Sequence, residues 1–400
     1  MDKTLSFILD TGFDNLPPVV IDQAQACLME MVAVAAAASP RPEVTQINRY
    51  VQRRHPPLAD SHPSRLLFSG GRSSAGGAAL ANATALGIID GHSWHAGADG
   101  HVGGAVLAVL LALTEGLPAN RRPDGRAFLT LLCIGYEIGI RLGMASKAVD
   151  GGRHTSGSWN AMTCAALAAR LLAFSHQDCR TALGIAEQIA PMSGMPLGNQ
   201  GAANRMNTSG WSAFTGIESA FLVLETRFEA HSPLLFDPSA GLWDDLGTNW
   251  RIMEQCFQSY PLHRWLHGPV EAALEIRSMP GFDAARIAAI ETYIFEAAAT
   301  GREQSPETSS QAQASLSWAV AKPWPKKASV AFSAVTWGMP CPSRLMVTGA
   351  VRPSTVRSEE TSGRAARRAS PLMSGASAMP IRRPARGPGF ERGWRRCPLG

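Results

Sequence analysis

Apolar residues recur at three- and four-residue intervals from about residue 15 to residue 275, and short Gly, Pro, Ser and Asn clusters separate the runs. The pattern predicts helices over residues 18–38, 74–89, 102–115, 125–146, 158–174, 178–190, 209–228 and 269–278. No strand-like alternation competes in this region. GAVLAVLLAL has no polar face, so its helix belongs inside a multilayer helical domain. AMTCAALAAR and GGAALANATALG are dense in Ala and Gly, which let helix axes approach closely. After about residue 268 the texture changes, and IETYIFE (290–296) is β-branched and aromatic enough for a strand. From about Lys322 the periodicity fails and Arg, Pro, Ser, Ala and Gly dominate, so no strand or helix is expected there. The expected fold class is mainly α. It comprises a large all-helical domain over 1–267, the start of a smaller, incomplete α/β domain over 268–321, and a disordered tail over 322–400.

Charge sharpens that division. The net charge of +5 hides two opposite parts: residues 321–400 hold 15 Lys+Arg against 3 Asp+Glu, and residues 1–320 hold 22 against 29. A body of −7 is joined to a tail of +12. Seven scattered cysteines with no CxxC pair read as buried thiols in a reducing compartment. The N-terminal segment has Asp2, Asp10 and Asp14 where a signal peptide needs a basic start and an apolar run. The longest unbroken apolar stretch, 103–113, is about half of the roughly 20 residues that span a bilayer. The expectation is a soluble cytoplasmic protein with no membrane partner.

The densest cluster of ionisable groups is Asp90-Gly-His92-Ser-Trp-His95-Ala-Gly-Ala-Asp99-Gly-His101, which holds three of the ten histidines. A polar, Gly-rich loop between two apolar helices suits an active-site lining. His101 falls at the mouth of the following helix, whose dipole favours an anion and disfavours an imidazolium. Three readings remain open for the loop. Its histidines are a neutral acid/base set, or merely hydrogen-bonded turn residues, or metal ligands together with Asp90 and Asp99, although the spacing matches no compact zinc pattern. Arg153 and His154 in GGRHTSGSWN, and His263, Arg264 and His267 in QSYPLHRWLHGPVEAAL, sit at two further loop-to-helix transitions. Cations gathered in a net-negative body suggest a pocket for a small anion. The Gly70–Gly77 run lacks the GK[ST] ending of a P-loop, and no GxSxG elbow occurs, which disfavours a nucleotide enzyme and a serine hydrolase.

Over residues 5–320 the chain resembles the MmgE/PrpD family, which includes 2-methylcitrate dehydratase, cis-aconitate decarboxylase and iminodisuccinate epimerase. The blocks that carry the resemblance are GGRSSAGGAALANATALGIIDGH, GHVGGAVLAVLLAL, IGYEIGIRLG, GRHTSGSWNAMTCAALAARLL, SGWSAFTGIESAFL and YPLHRWLHGPVEAAL, in that order. The resemblance implies a large helical domain plus a smaller α/β domain, a homodimer, and neither a metal nor an organic cofactor. It implies Asp90, His101 and His154 as catalytic residues and Arg205 and Gln258 as substrate-binding residues, to which the cation-bearing loops add His95, His263 and Arg264 as substrate-binding candidates. Arg205 and Gln258 stand where the family often has lysines, and Val102 replaces the Pro that follows its GH pair. The implied activity is that of a hydro-lyase of the 2-methylcitrate dehydratase type acting on a small di- or tricarboxylate, with a decarboxylase or epimerase as the alternative. Removing a proton α to a carboxylate builds a second negative charge, so the step needs a base together with fixed cations or donors.

The resemblance stops near residue 321. The Arg/Pro/Ser/Ala/Gly-rich sequence beyond it is what a GC-rich gene gives when read out of frame, and a catalytically defective product is therefore a second reading. A nucleic-acid partner for the Arg-rich tail is not expected, because the tail has few aromatics among its arginines and no recognisable module.

Overall fold

Proline and serine open several helices, as their chemistry dictates. Pro18 lies in the first turn of α2 (Pro18–Ala38) and Pro42 in the first turn of α3 (Pro42–Arg54), where an absent N–H removes no helical bond. Before them comes α1 (Asp2–Asp10). A two-residue antiparallel ladder, β1 (Ser64–Arg65) with β2 (Arg72–Ser73), follows α3. The Ser74 hydroxyl then accepts the Gly77 N–H at 3.2 Å and caps α4 (Ala75–Gly87). The glycine-rich run is thus accounted for as a tight turn and a helix cap.

The computed structural model describes residues 2–57, 63–150, 156–191, 208–226, 228–236, 241–283, 287–295, 309–321, 331–337 and 344–349. It divides into two units, the first running to Leu262 and the second starting at His263. The first unit continues with α5 (Gly103–Gly116), α6 (Gly125–Asp150), α7 (Gly157–Leu171), α8 (His176–Ile189), α9 (Thr208–Glu225) and the short α10 (Pro233–Phe236). As the sequence implies, α5 is enclosed: Gly103 to Leu110, Ala112 and Leu113 are all buried. Around it, α4 packs on α5 and α9, and α7 packs on α6, α8 and α9. Gly216 permits one of these close approaches. A Cβ there would stand 2.3 Å from the Cys164 Cβ and 2.6 Å from the Ala161 carbonyl, so α9 rests on the backbone of α7.

Two findings refine the apolarity reading. Helix α2 and the segment Gly125–Val149 of α6 are long and apolar enough to cross a membrane by length and composition, and most of the latter is buried within the protein. Both contain polar residues, which is why neither shows as an unbroken apolar run. Cys27, Cys133, Cys164 and Cys179 are buried thiols, as the sequence reading expects.

The second unit is built from α11 (His267–Arg277), β3 (Ile287–Phe295), α12 (Ser309–Ala314), α13 (Leu316–Ala321), β4 (Ala331–Trp337) and β5 (Arg344–Gly349). The sheet order is β4-β3-β5, with β3 parallel to β4 and antiparallel to β5. Ile290, Thr292 and Ile294 are buried in alternation, as a strand with one covered face requires. This is the small α/β unit that the IETYIFE segment predicts. Strands β4 and β5 correct the expectation that nothing folds beyond residue 322. AFSAVTW and RLMVTG carry the β-branched and aromatic residues of strand formers. An average over the whole Arg/Pro/Ser-rich tail conceals them, and β3 offers each a paired edge.

Candidate active site

The polar loop between α4 and α5 is fixed by two backbone pairings. Trp94 and Cys256 exchange hydrogen bonds, N to O, at 3.1 and 2.9 Å. His95 and Gly100 do the same at 2.9 and 3.4 Å and close a turn over residues 95–100. Asp90 and Asp99 adopt left-handed conformations, at φ 46° and 51°, which aspartate tolerates better than most residues. The loop is therefore a rigid rim held against residues 254–258.

At its C-terminal end, His101 sits two residues before α5. Its Nδ1 lies 3.1 Å from the Ser93 carbonyl, which can only accept, so Nδ1 carries the hydrogen. Its Nε2 faces the Asp90 carboxylate at 3.6 Å. The two side chains are 19% and 28% exposed, which leaves them open to a small solute. The Asn160 side-chain amide donates to the His101 carbonyl at 2.8 Å and ties the histidine to α7. The His92 ring lies against the His101 ring, tilted by 44° with centroids 4.2 Å apart. His92 is buried and neither of its ring nitrogens has a hydrogen-bond partner. Burial, and then the neighbouring His101, hold its pKa well below the usual histidine value, so His92 stays neutral. The Gln258 amide donates to the His92 carbonyl at 2.8 Å. That places Gln258 at this site, with its Nε2 directed to the loop backbone.

His95, at the middle of the loop, is built differently. The Ala98 N–H donates to its Nδ1 at 3.1 Å, so Nε2 carries the hydrogen and donates to Glu254 at 3.0 Å. Glu254 also accepts from Arg251 at 3.0 Å, and Arg251 donates to Asp245 at 2.9 Å. Asp245 accepts in turn from Arg141 at 2.8 Å, and Arg141 pairs with Glu137. Arg141 and Glu137 are fully buried on α6. Burial pushes the Glu137 carboxyl up, opposed by Arg141 and by the Ile252 N–H that donates to it at 2.8 Å. The chain of charges joins the loop to the helical core.

Below the loop, Glu30 on α2 accepts the Ser93 N–H at 3.0 Å, and burial pushes its carboxyl up to about 7 against the hydrogen bonding of Ser93. Glu30, Ser93, Asn160 and Glu254 carry no signal in a linear reading. Glu30 is one of two acids in an apolar helix, and it meets the loop only through the fold.

The structure thus brings Asp90, His92, His101 and Gln258 together, and sets His95 apart within the same loop. His154 and Arg205 lie outside the described residues. His263 and Arg264 belong to the second unit, where the His263 ring meets Trp265 edge-on at 4.6 Å and the Arg264 guanidinium lies 5.5 Å from the same ring. Among the described residues no three His, Cys, Asp or Glu side chains are grouped so as to hold a metal ion.

The sequence is similar to those of known proteins. The chain is 31% identical over 222 residues to the cis-aconitate decarboxylase of Homo sapiens, covering 50% of this chain and 44% of the relative. It is 29% identical over 218 residues to the cis-aconitate decarboxylase of Mus musculus, covering 50% and 43%. It is 25% identical over 178 residues to a cis-aconitate decarboxylase-like protein of Aspergillus oryzae, covering 43% and 36%. The chain therefore spans less than half the length of the curated relatives it matches. The model of the MmgE/PrpD N-terminal domain matches residues 3–252, which is nearly the whole first unit and includes the entire histidine loop. On that match the chain belongs to the MmgE/PrpD family.

Proposed function

We propose that this protein is a lyase that moves a proton next to a carboxylate of a small di- or tricarboxylate, of the 2-methylcitrate dehydratase type and without a cofactor. The observation that carries the reading is the orientation of His101. Its Nδ1–H is committed to the Ser93 carbonyl, so Nε2 is the basic nitrogen, and Asp90 lies beside it in the more open part of the loop. In this reading Nε2 takes the C–H proton, and Asp90 stabilises the resulting imidazolium. His92 stays neutral and adds no opposing charge. His154 is a second proton carrier and Arg205 clamps a substrate carboxylate, with the planar fork that suits such a partner.

A decarboxylase reading is favoured by the relatives, all three of which are named for cis-aconitate decarboxylation. The two reactions share His101. In dehydration the C–H electron pair forms the alkene as the hydroxyl departs with a proton. In decarboxylation the C–CO2 bond supplies the pair, and protonated His101 returns a proton to carbon. Incubation with citrate, 2-methylcitrate and cis-aconitate, with alkene and CO2 followed separately, distinguishes them: dehydration exchanges water without CO2, and decarboxylation releases it. His101→Asn is expected to lower either rate by about 10²–10⁴-fold. A folded protein that turns over none of the three and binds none would instead support the catalytically defective reading.

A further inference from the structure

We propose that Glu30 is a positioning residue for His101, acting through the backbone of Ser93. The Ser93 N–H donates to the Glu30 carboxylate at 3.0 Å, and the Ser93 carbonyl accepts from His101 Nδ1 at 3.1 Å. One fully buried residue therefore has its donor held by α2 and uses its acceptor to set the histidine tautomer. The next residue, Trp94, is pinned to Cys256 through both its N–H and its carbonyl, so Ser93 has no freedom on that side. Glu30 fixes the other side. Without that anchor the His92–Ser93 peptide is held only by the Gln258 bond to its carbonyl, Ser93 shifts, the Nδ1 bond lengthens, and Nε2 leaves its 3.6 Å approach to Asp90.

The surroundings of Glu30 make this more than the pairing of a stray N–H. The groups facing it are Cys27 on its own helix, Tyr136 on α6 and Ser93 in the loop, with Cys133 next to Cys27. None of these groups carries a charge at ordinary pH: Ser93 does not ionise, and burial raises both thiols to about 12 and the phenol well above its usual value. Glu30 is the group of this set that titrates near neutrality. Tyr136 reaches the start of α5 because residue 103 is glycine: a Cβ there would stand 2.3 Å from the phenol oxygen. The half-buried carboxylate thus meets the histidine loop through the Ser93 N–H.

The inference rests on the proposed role of His101, so its test combines turnover with a signal that needs none. With protein labelled at histidine nitrogen, the His101 signals of the wild type are expected to show a second inflection near pH 7, reported from Glu30, and Glu30→Gln is expected to lack it. Glu30→Ala is expected to lower kcat by roughly 10- to 100-fold, as a misplaced catalytic group does. KM should stay within about threefold, because substrate contacts are untouched. Glu30→Gln, whose amide oxygen still accepts from Ser93, is expected to recover most of the kcat lost in Glu30→Ala. Identical His101 titrations in the wild type and Glu30→Gln would overturn the proposal even if Glu30→Ala fails to fold. So would a wild-type kcat in folded Glu30→Ala. Absence of any turnover in the wild type would count against the lyase reading alone, and the titration would still decide the role of Glu30.

Discussion

Two histidines six residues apart in one loop meet carboxylates in opposite ways. His95 is 2% exposed, both its nitrogens are hydrogen-bonded, and its Nε2–H points to a carboxylate tied into four further charged groups. His101 is 19% exposed, its Nδ1–H is spent on a carbonyl, and its Nε2 faces Asp90 at a distance longer than a hydrogen bond. The first arrangement fixes a protonation state, whereas the second turns the basic nitrogen towards Asp90. Proximity of His to Asp or Glu does not by itself mark an acid/base pair. The tautomer, set by the other ring nitrogen, decides which histidine can work.

Four predictions probe that division of labour. The largest effect is expected at His101→Gln, which should lower turnover by about 10²–10⁴-fold while changing the unfolding free energy by no more than about 1 kcal/mol. Steady-state kinetics beside urea unfolding would show it, and retained turnover would erase the distinction. Next is Arg141→Met, which strands the buried Glu137 carboxylate and should cost about 3–5 kcal/mol of stability. Urea unfolding measures this too. Adding Glu137→Leu should recover part of the loss, since no buried charge is then left without a partner. A smaller loss, about 1–3 kcal/mol, is expected for His95→Ala, which leaves the Ala98 N–H without an acceptor. Its effect on turnover should be well below that of His101→Gln.

The smallest effect is a pH dependence. Burial holds the folded-state pKa of His95 below the ordinary value, with Glu254 opposing the shift. Below about pH 6.5 the unfolded chain binds a proton at this residue that the native state does not, so His95 contributes less to stability as pH falls. The stability gap between the wild type and His95→Ala should therefore be widest above pH 7 and narrow towards the folded-state pKa. Glu30 acts in the opposite sense: with its pKa raised from 4.5 to about 7, stability declines as pH rises through that window. Comparing the two variants, and not the wild-type profile alone, separates these contributions.

Much of the helical body is legible in the chain. Helix α2 is read to the residue, because Pro18 and the alanine run at 35–38 mark its ends. Helix α3 is not read, although Val44 and Val51 are buried, because PEVTQINRYVQRR is mostly polar and its apolar stripe is narrow. The histidine loop stands out by composition, and His101 by its place before an apolar helix. The partners that set the tautomers do not. Glu30 lies 63 residues from Ser93, and Glu254 lies 159 residues from His95, so no local pattern connects them. In the second unit, β3 shows as a β-branched run, while β4 and β5 are lost in a biased composition and become strands only by pairing with it.

The central claim is that the two histidines hold their protons on opposite nitrogens. A nitrogen-resolved NMR spectrum of the labelled protein at pH 7.5 or above, with signals assigned through His95→Gln and His101→Gln, tests it directly. The account predicts hydrogen on Nδ1 of His101 and on Nε2 of His95. Hydrogen on Nε2 of His101 would leave no basic nitrogen facing Asp90 and would contradict it.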